Sequence, residues 1–223
     1  MDFTIPKVIF ENRHDAGRQL GAELAEYDER SAVVLAIPNG GVPIALELAS
    51  AIKADIDLVI CRKIAIPLNP GAGFGAISDD GTLILNEEEI RRIGLNREQI
   101  EYEATRVKAD IKQRSILYRG SSLLVSVVGK TAIIVDDGLA SGFTMMAAVE
   151  SVRHRRPKEI VVAVPVASAR AFKQLENLAD KVVACATAYT SNYHISDFYR
   201  YWPDVTDEEV TRYLKQWQSR HLH

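Results

Sequence analysis

Two adjacent carboxylates, Asp136 and Asp137, stand between an apolar run and a turn of small residues that ends at Thr144. The apolar run, residues 131–135, is typical of a buried strand, and the pattern after the turn is typical of a helix. A helix that begins at such a turn leaves its first backbone N–H groups free to bind an anion. The segment therefore predicts a binding site for a sugar phosphate, although acids at this position can also face solvent or cap the next helix.

A second turn, Asn39-Gly40-Gly41, lies between the apolar run 31–37 and a helical pattern with Pro43 in its first turn. Two glycines allow backbone N–H groups to approach a ligand without a Cβ in the way, and proline is favourable in a first helical turn. The turn suits a second phosphate, or it is only a tight turn. It matches neither a dinucleotide-binding fingerprint nor a Walker A loop, because the glycine spacing and the Lys-Ser/Thr pair are missing.

Arg62 and Lys63 form a third candidate, directly after the apolar run 56–61. Cations in this position can neutralise phosphate oxygens, and arginine can do so through two parallel hydrogen bonds. For this dipeptide alone, a solvated surface pair is the alternative. Because ligands of open α/β sheets bind beyond the carboxyl ends of the strands, the three turns are predicted to meet at one crevice.

Short apolar runs alternate with helical patterns along most of the 223 residues, which predicts parallel strands joined by crossover helices. The predicted strands are 7–10, 31–37, 56–61, 131–135, 160–165 and 181–185, and the predicted crossover helices are 13–26, 42–52, 144–154 and 168–178. The fold class is therefore α/β, with a doubly wound, mostly parallel sheet and helices on both faces, in a single domain over residues 1–223.

The middle of the chain interrupts this alternation. Residues 64–78 carry no charge and are rich in proline and glycine, which predicts a mobile loop that runs into a hairpin ending at about residue 85. Asn86 and Asn96 are then predicted to cap a helical insert over about 87–117.

The second helix of this insert is predicted to pack through one apolar side, formed by Ile100, Ala104, Val107 and Ile111. Asp110 and Arg114 form an acid-before-base pair that is expected on the opposite, solvated side. Near the end of the chain, residues 206–209 predict a capping box that begins a terminal helix.

The composition excludes several classes of function. The formal net charge is -3 with both signs interspersed, so there is no overall basic field for nucleic acid. No apolar run is long enough to cross a bilayer, and the first residues lack an export pattern. Cys61 and Cys185 each end an apolar run, which suits reduced thiols in the cytoplasm. The five histidines form no metal-ligand pattern.

With these turns, nearly the whole chain resembles the type I phosphoribosyltransferases. The resemblance implies that Asp136 and Asp137 hold the ribose hydroxyls of phosphoribosyl pyrophosphate. The residues implied to hold its 5′-phosphate are Gly138, Leu139, Ala140, Ser141, Gly142, Phe143 and Thr144. Asn39, Gly40 and Gly41 match the pyrophosphate loop, which in this family often contains a non-proline cis peptide. Arg62 and Lys63 match the start of the flexible loop that supplies cations to the pyrophosphate.

The resemblance implies a Mg²⁺-dependent transfer of 5-phosphoribosyl to a nitrogenous base or small nitrogen nucleophile, with release of pyrophosphate. Mg²⁺ would be carried by the substrate rather than by a protein cage. The implied partners are small molecules and, as is common in the family, a second copy of the chain. The chain looks closest to stand-alone members known only as predicted phosphoribosyltransferases, in which residues 189–223 would form a small hood over the site.

Three departures from the family pattern limit this implication. Ala140 replaces the aspartate that serves 6-oxopurines, so a 6-oxopurine acceptor is disfavoured and the general acid or base is unassigned. Residues 64–78 contain no Lys, His or Glu, and Asn39 stands where related members often have arginine. These departures keep two alternatives open: a catalytically weak regulator that binds phosphoribosyl pyrophosphate, and, less favoured, a phosphosugar hydrolase.

Two other segments have ambiguous patterns. The basic run 153–158 resembles a nucleic-acid patch, but positive charge is favourable at a helix C-terminus and Pro157 marks a helix end. The aromatic residues of the segment 189–202 could stack on a base or could form an edge of the core. These are Tyr189, Tyr193, Phe198, Tyr199 and Trp202.

Overall fold

Five parallel strands form the central sheet of the computed structural model, which describes residues 8–28, 31–67, 69–120, 124–189 and 193–221. The elements in chain order are α1 (Arg13–Glu23), β1 (Ala32–Ala36), α2 (Gly41–Ala51), β2 (Asp55–Leu58), β3 (Cys61–Ile66), β4 (Asn69–Ser78), β5 (Leu83–Leu85), α3 (Glu87–Ile93), α4 (Arg97–Arg119), β6 (Thr131–Val135), α5 (Phe143–His154), β7 (Glu159–Ser168), α6 (Ala169–Leu175), β8 (Lys181–Ala188) and α7 (Asp207–His221). Short 3-10 helices occur at Ala25–Tyr27 and Ile195–Phe198. The sheet order is β2-β1-β6-β7-β8, and every neighbouring pair is parallel.

Alternate residues of the inner strands face two separate apolar layers. Val34 and Ala36 of β1 pack with residues of α1 and α2 on one side of the sheet. Val33 and Leu35 pack with residues of α5 and α6 on the other side. Because both faces are covered, the inner strands are mostly apolar, with polar residues only at the ends of β6 and β7. The predicted doubly wound α/β fold is confirmed.

The first two helices lie unusually close together. A Cβ added to Gly17 of α1 would lie 2.7 Å from the carbonyl oxygen of Ile44 in α2. One turn further along, a Cβ added to Gly21 would lie 2.8 Å from Cβ of Ala51. Glycine at these two positions allows the backbones of the helices to approach where a side chain would hold them apart.

A second, antiparallel sheet in the order β3-β4-β5 corrects two sequence predictions. The predicted strand 56–61 is wrong as one element, because β2 ends at Leu58 and Cys61 begins β3 in the other sheet. Residues 64–78, predicted as a loop leading into a hairpin, are largely the paired strands β3 and β4. Glycine allows this pairing, since a Cβ at Gly73 of β4 would lie 2.4 Å from Cγ of Lys63 on β3.

The helical insert has the predicted capping. The Asn86 side chain accepts a hydrogen bond from the Glu89 N–H at the start of α3, and Asn96 forms a capping box with Gln99 at the start of α4. Ala104 and Ile111 of α4 are buried as expected. The terminal capping box is also confirmed, since the Thr206 and Glu209 side chains accept hydrogen bonds from each other's backbone N–H groups.

The segment before α1 contacts the segment between β8 and α7. Phe10 bridges to Tyr199, and their rings lie 5.1 Å apart in a small apolar cluster with Phe198. Of the strand predicted at 7–10, the described part is only this bridge, and residue 7 lies outside the described residues. None of the helices in the described ranges is both long and apolar enough to cross a membrane.

Candidate active site

The acid pair lies at the carboxyl end of β6, where the chain leaves the sheet. The Asp137 N–H donates to Asp136 Oδ1 at 2.8 Å, so the two carboxyl groups are held beside each other. Burial and the neighbouring Asp137 raise the pKa of Asp136 well above its ordinary value. Burial also raises the pKa of Asp137, and the guanidinium of Arg13 opposes this shift. Protonation of this pair is therefore set by crowding and by one nearby cation.

Arg13 is the cation on the acid pair, and the sequence prediction missed it. Its Nε and Nη2 both lie 3.0 Å from Asp137 Oδ2. The signal was present in α1, because Arg13 precedes Ala16, Gly17 and Leu20 on the buried stripe of that helix. A charged residue on such a stripe requires a partner in the interior, and here the partner is 124 residues away in sequence.

The predicted pyrophosphate turn lies directly on the acid pair. A Cβ added to Gly40 would lie 1.8 Å from Asp137 Oδ2, and one added to Gly41 would lie 2.7 Å from the carbonyl oxygen of Val135. The peptide bond between Pro38 and Asn39 is cis, as the resemblance implied for this loop. Two of the three predicted turns are therefore in contact at the carboxyl ends of the adjacent strands β1 and β6.

The Asn39 side chain turns toward the C-terminal segment. Its Nδ2 donates to the carbonyl oxygen of Val205 at 2.9 Å and to Asp207 Oδ1 at 2.8 Å. Its Oδ1 accepts from the Tyr118 hydroxyl at 3.0 Å and lies 3.4 Å from Arg114 Nη1. The pyrophosphate turn is thus attached to both α4 and α7 through one side chain.

Arg114 corrects the sequence-based view of α4. The predicted pair with Asp110 exists at 3.0 Å, but it is not on a solvated side, because the Arg114 side chain is only 19% exposed. Arg114 also donates to Asp207 and, at 2.8 Å, to the Tyr118 hydroxyl. A guanidinium therefore stands beside Asn39, the position where an arginine was expected from the family pattern.

In the predicted 5′-phosphate loop, two carbonyl groups accept hydrogen bonds from Ser168 and Tyr193, and several N–H groups are free. The carbonyl oxygen of Leu139 accepts from the Ser168 N–H at 2.8 Å and from the Tyr193 hydroxyl at 3.0 Å, and that of Ala140 accepts from Ser168 Oγ at 2.8 Å. Within the described residues, Ala140, Ser141 and Gly142 donate no backbone hydrogen bond.

The turn at Gly142 completes this loop. Gly142 has φ +82°, a conformation that glycine adopts without strain, and it precedes the first turn of α5, which holds Phe143 and Thr144. Gly138, at the start of the loop, lies against Ile195, where a Cβ would be 2.6 Å from two side-chain carbons. Free N–H groups at the start of a 12-residue helix are of the kind that can bind an anion, so the 5′-phosphate loop stays a prediction.

Arg62 and Lys63 do not lie in a turn beside the other two. Both are within β3, so their side chains point to opposite faces of the small sheet. Arg62 Nε lies 3.3 Å from Asp110 Oδ2, and Asp110 in turn pairs with Arg114. Lys63 Nζ donates to the carbonyl oxygen of Gly71 at 2.8 Å across the hairpin. Among the contacts of the described residues, Arg62 is connected to the pyrophosphate turn through α4, by way of Asp110 and Arg114.

Known proteins share sequence similarity with this chain. A family model described as the phosphoribosyl transferase domain matches residues 80–201, more than half of the chain. The chain belongs to this phosphoribosyl transferase family. Two Mycobacterium tuberculosis proteins, named provisionally as phosphoribosyl transferases, are 33% identical to it over 206 residues, which is 92% of this chain and 46% of each relative. The chain thus spans about half the length of the curated relatives it matches.

Solved structures show the same architecture. The crystal structure of TT1426 from Thermus thermophilus matches with a TM-score of 0.76 and 34% identity, over 94% of this chain and 99% of that one. The AQ2163 protein of Aquifex aeolicus matches with a TM-score of 0.50 and 11% identity, over 78% of this chain and 74% of that one. At that low identity, the second match shows a similar fold alone.

An open cavity of about 470 Å³ lies beside the phosphate loop of this phosphoribosyl transferase domain. It borders Ala140, Ser141 and Phe143, and two of the aromatic residues, Tyr189 and Tyr193, line its other side. The remaining aromatic residues of that segment have packing roles, since Phe198 and Tyr199 are buried and Trp202 packs against Tyr199 at 4.4 Å. The core reading is therefore confirmed for Phe198, Tyr199 and Trp202, and stacking on a base stays a prediction for Tyr189 and Tyr193.

Metal ligands are sparse around the site. Among the described residues, no group of three or more His, Cys, Asp or Glu side chains could hold a metal ion. Asp136 and Asp137 supply carboxylate oxygens at the acid pair, and Arg13 already contacts Oδ2 of Asp137. Asp207 adds a carboxylate beside the pyrophosphate turn, where it accepts from Asn39 Nδ2 at 2.8 Å.

Proposed function

We propose that this chain is a phosphoribosyltransferase that binds phosphoribosyl pyrophosphate and transfers its 5-phosphoribosyl group to a nitrogen nucleophile. The supporting observation is the contact between the pyrophosphate turn and the acid pair, in which Gly40 lies against Asp137. A ligand that spans both would have its ribose hydroxyls at Asp136 and Asp137 and its pyrophosphate at residues 39–41. Its 5′-phosphate would then meet the free N–H groups of 140–142, in the loop that follows the carboxyl end of β6.

In the proposed reaction the bond between the anomeric carbon and the pyrophosphate oxygen breaks, and a bond forms from that carbon to the acceptor nitrogen. The nitrogen loses its proton and pyrophosphate leaves. Asp136 and Asp137 would orient the ribose by accepting hydrogen bonds from its hydroxyls, and the glycine turn would hold the leaving group by backbone N–H groups. Bound Mg²⁺ would neutralise charge on the pyrophosphate.

The cavity beside Ala140 is the proposed acceptor site. Its lining includes the aromatic rings of Tyr189 and Tyr193 together with the hydroxyls of Ser141 and Ser168, so a flat nitrogenous ring fits its chemistry. Ala140 provides no carboxylate for proton abstraction, which disfavours a 6-oxopurine. The described structure has free thiols at Cys61 and Cys185, which favours a reducing compartment such as the cytoplasm.

Calorimetric titration of the purified chain with phosphoribosyl pyrophosphate and Mg²⁺ tests the proposal. We expect saturable binding, and we expect the double substitution Asp136→Asn with Asp137→Asn to weaken it about 100-fold, because two charged acceptors are lost. The matched control is Glu98→Gln, an exposed carboxylate at the start of α4, which should bind as the unmodified chain does. A folded chain that binds no phosphoribosyl pyrophosphate contradicts the proposal.

A ligand-binding regulator is the second candidate, and the placement of two cations favours it. Arg62 pairs with Asp110, and Lys63 donates to Gly71, so both cations expected at the pyrophosphate have contacts within the protein. A screen of bases for pyrophosphate release separates the candidates. Release with any nitrogenous base identifies a transferase, whereas tight binding without release across a broad panel identifies a regulator.

A further inference from the structure

We propose that Arg13 is a positioning residue that fixes the Asp137 carboxylate for its contact with the ribose. This inference rests on the proposed function. Arg13 stands at the start of α1, and its Nε and Nη2 both contact a single oxygen, Asp137 Oδ2, at 3.0 Å. Two N–H groups on one oxygen restrict rotation of the carboxyl group more than a single contact would.

The guanidinium is itself held by the C-terminal segment. Arg13 Nη1 donates to the carbonyl oxygen of Pro203 at 2.6 Å, and the guanidinium carbon lies 3.6 Å from the ring centre of Trp202. The side chain is only 8% exposed. A buried guanidinium with hydrogen bonds at its edge and a ring on its face has one orientation, which is the requirement for a positioning group.

The backbone of Asp137 is fixed from the same segment. The Tyr199 hydroxyl donates to the carbonyl oxygen of Asp137 at 2.9 Å, and Tyr199 packs on Trp202. Tyr199, Trp202 and Arg13 thus form a continuous contact around one side of Asp137, while Gly40 lies on Oδ2. No comparable cation contacts Asp136 among the described ion pairs, so the two acids differ in how tightly they are held.

Charge provides a second argument. The charged and titratable groups that face Asp137 are Asp136 from the preceding position, Arg13 from α1 and the Tyr199 hydroxyl from the C-terminal segment. Of these, only Arg13 is a cation, and it opposes the effect of burial on the pKa of Asp137. Arg13 therefore also favours the ionised form of this carboxyl group, which accepts hydrogen bonds.

The test compares Arg13→Gln and Arg13→Lys with the unmodified chain by calorimetric titration of phosphoribosyl pyrophosphate with Mg²⁺ between pH 5 and 8. We expect Arg13→Gln to weaken binding about tenfold or more, because one charged contact is lost. The affinity of Arg13→Lys should lie between those of Arg13→Gln and the unmodified chain, since lysine keeps the charge but loses the paired N–H groups. In Arg13→Gln the pH at which binding falls should also move upward, a shift that simple loosening of the fold would not produce.

The control is Arg18→Gln, on the same helix. Arg18 is 58% exposed and contacts only Asp15 and Glu47 among the described ion pairs, so its removal should leave affinity and pH profile unchanged. Trp202→Leu gives an independent variant, which keeps both Arg13 contacts to Asp137 and should weaken binding less than Arg13→Gln does. Thermal unfolding of each variant checks the fold.

The outcomes separate the two proposals. If the unmodified chain does not bind phosphoribosyl pyrophosphate, both the proposed function and the proposed role of Arg13 are wrong. If the unmodified chain binds while folded Arg13→Gln or Arg13→Lys binds with the same affinity and pH profile, Arg13 has no positioning role and the proposed function stands.

Discussion

Gly40 lies so close to Asp137 that a Cβ on residue 40 would be 1.8 Å from Oδ2 of the carboxylate. Real Cβ atoms never approach an oxygen to that distance, so any side chain at position 40 requires the turn or the acid to move. The same oxygen receives the two N–H groups of Arg13. The pyrophosphate turn, the acid pair and the cation from α1 therefore form one closely packed unit.

Gly40→Ala should disrupt this unit. The added methyl group overpacks the site at a cost of about 1–3 kcal/mol, and the displaced carboxylate should weaken phosphoribosyl pyrophosphate binding about tenfold or more. Calorimetric titration and urea unfolding measure the two effects. Gly71→Ala is the matched control, because a Cβ there makes only ordinary contact at 3.7 Å with Asn69 Oδ1. Equal affinity for the two variants would contradict the prediction.

Asp207→Asn should loosen the attachment of the pyrophosphate turn to α7. Although burial alone would raise it, hydrogen bonds from Tyr118 and Asn39 and the charge of Arg114 lower the pKa of Asp207. A lowered pKa stabilises the fold above the ordinary carboxyl value of 3.8, and this contribution is lost as pH falls through the folded value.

We therefore expect Asp207→Asn to reduce stability at neutral pH and to lose stability less steeply than the unmodified chain below about pH 4. Urea unfolding at several pH values measures both effects. The neighbouring exposed carboxylate gives the control, since Glu208→Gln should retain the steeper acid dependence. If the stability of Asp207→Asn and of the unmodified chain depends on acid pH in the same way, the contacts of Asp207 do not contribute to stability.

Tyr118→Phe should change how the stability of the fold depends on pH above neutrality. Burial and the hydrogen bond to Asp207 raise the pKa of Tyr118 from 10.0 to about 12. A raised pKa gives stability that is complete below pH 10 and is lost as pH rises toward 12, because the folded chain retains the proton longer.

The variant should be less stable by about 1 kcal/mol at pH 7, through loss of the hydroxyl hydrogen bonds, and should lose less stability than the unmodified chain between pH 10 and 12. Tyr102→Phe on the same helix is the control, because Tyr102 is 65% exposed. Urea unfolding across this pH range measures the free energy of unfolding of each chain. Parallel pH profiles of that free energy for Tyr118→Phe and the unmodified chain would refute the prediction.

Tyr189→Ser should affect the acceptor and leave phosphoribosyl pyrophosphate binding intact. Tyr189 lines the cavity beside the phosphate loop and is 86% exposed, so its removal should not disturb the fold. Loss of a stacking ring should raise KM for the acceptor about tenfold. Tyr201→Ser, at another exposed tyrosine, serves as the control. An unchanged KM would place the acceptor elsewhere.

The acid pair and the glycine turn could be predicted from sequence because each lies between a strand and a helix, and the sheet brings strand ends together. The contacts of Arg13 with Asp137 and of Asn39 with Asp207 could not, since they join residues 124 and 168 positions apart. Arg62 and Lys63 were misplaced because an apolar run alone does not show where a chain leaves one sheet and enters another. In this chain that change occurs between Leu58 and Cys61, within one run.

The close contact between α1 and α2 at Gly17 and Gly21 has a mechanical consequence. Arg13 is carried by α1, and the pyrophosphate turn leads directly into α2. Two helices joined backbone to backbone shift as one rigid body, so the cation on Asp137 and the turn that contacts it keep their spacing. A larger residue at Gly17 or Gly21, about one or two helical turns from Arg13, would push the two helices apart and so separate groups that it never touches.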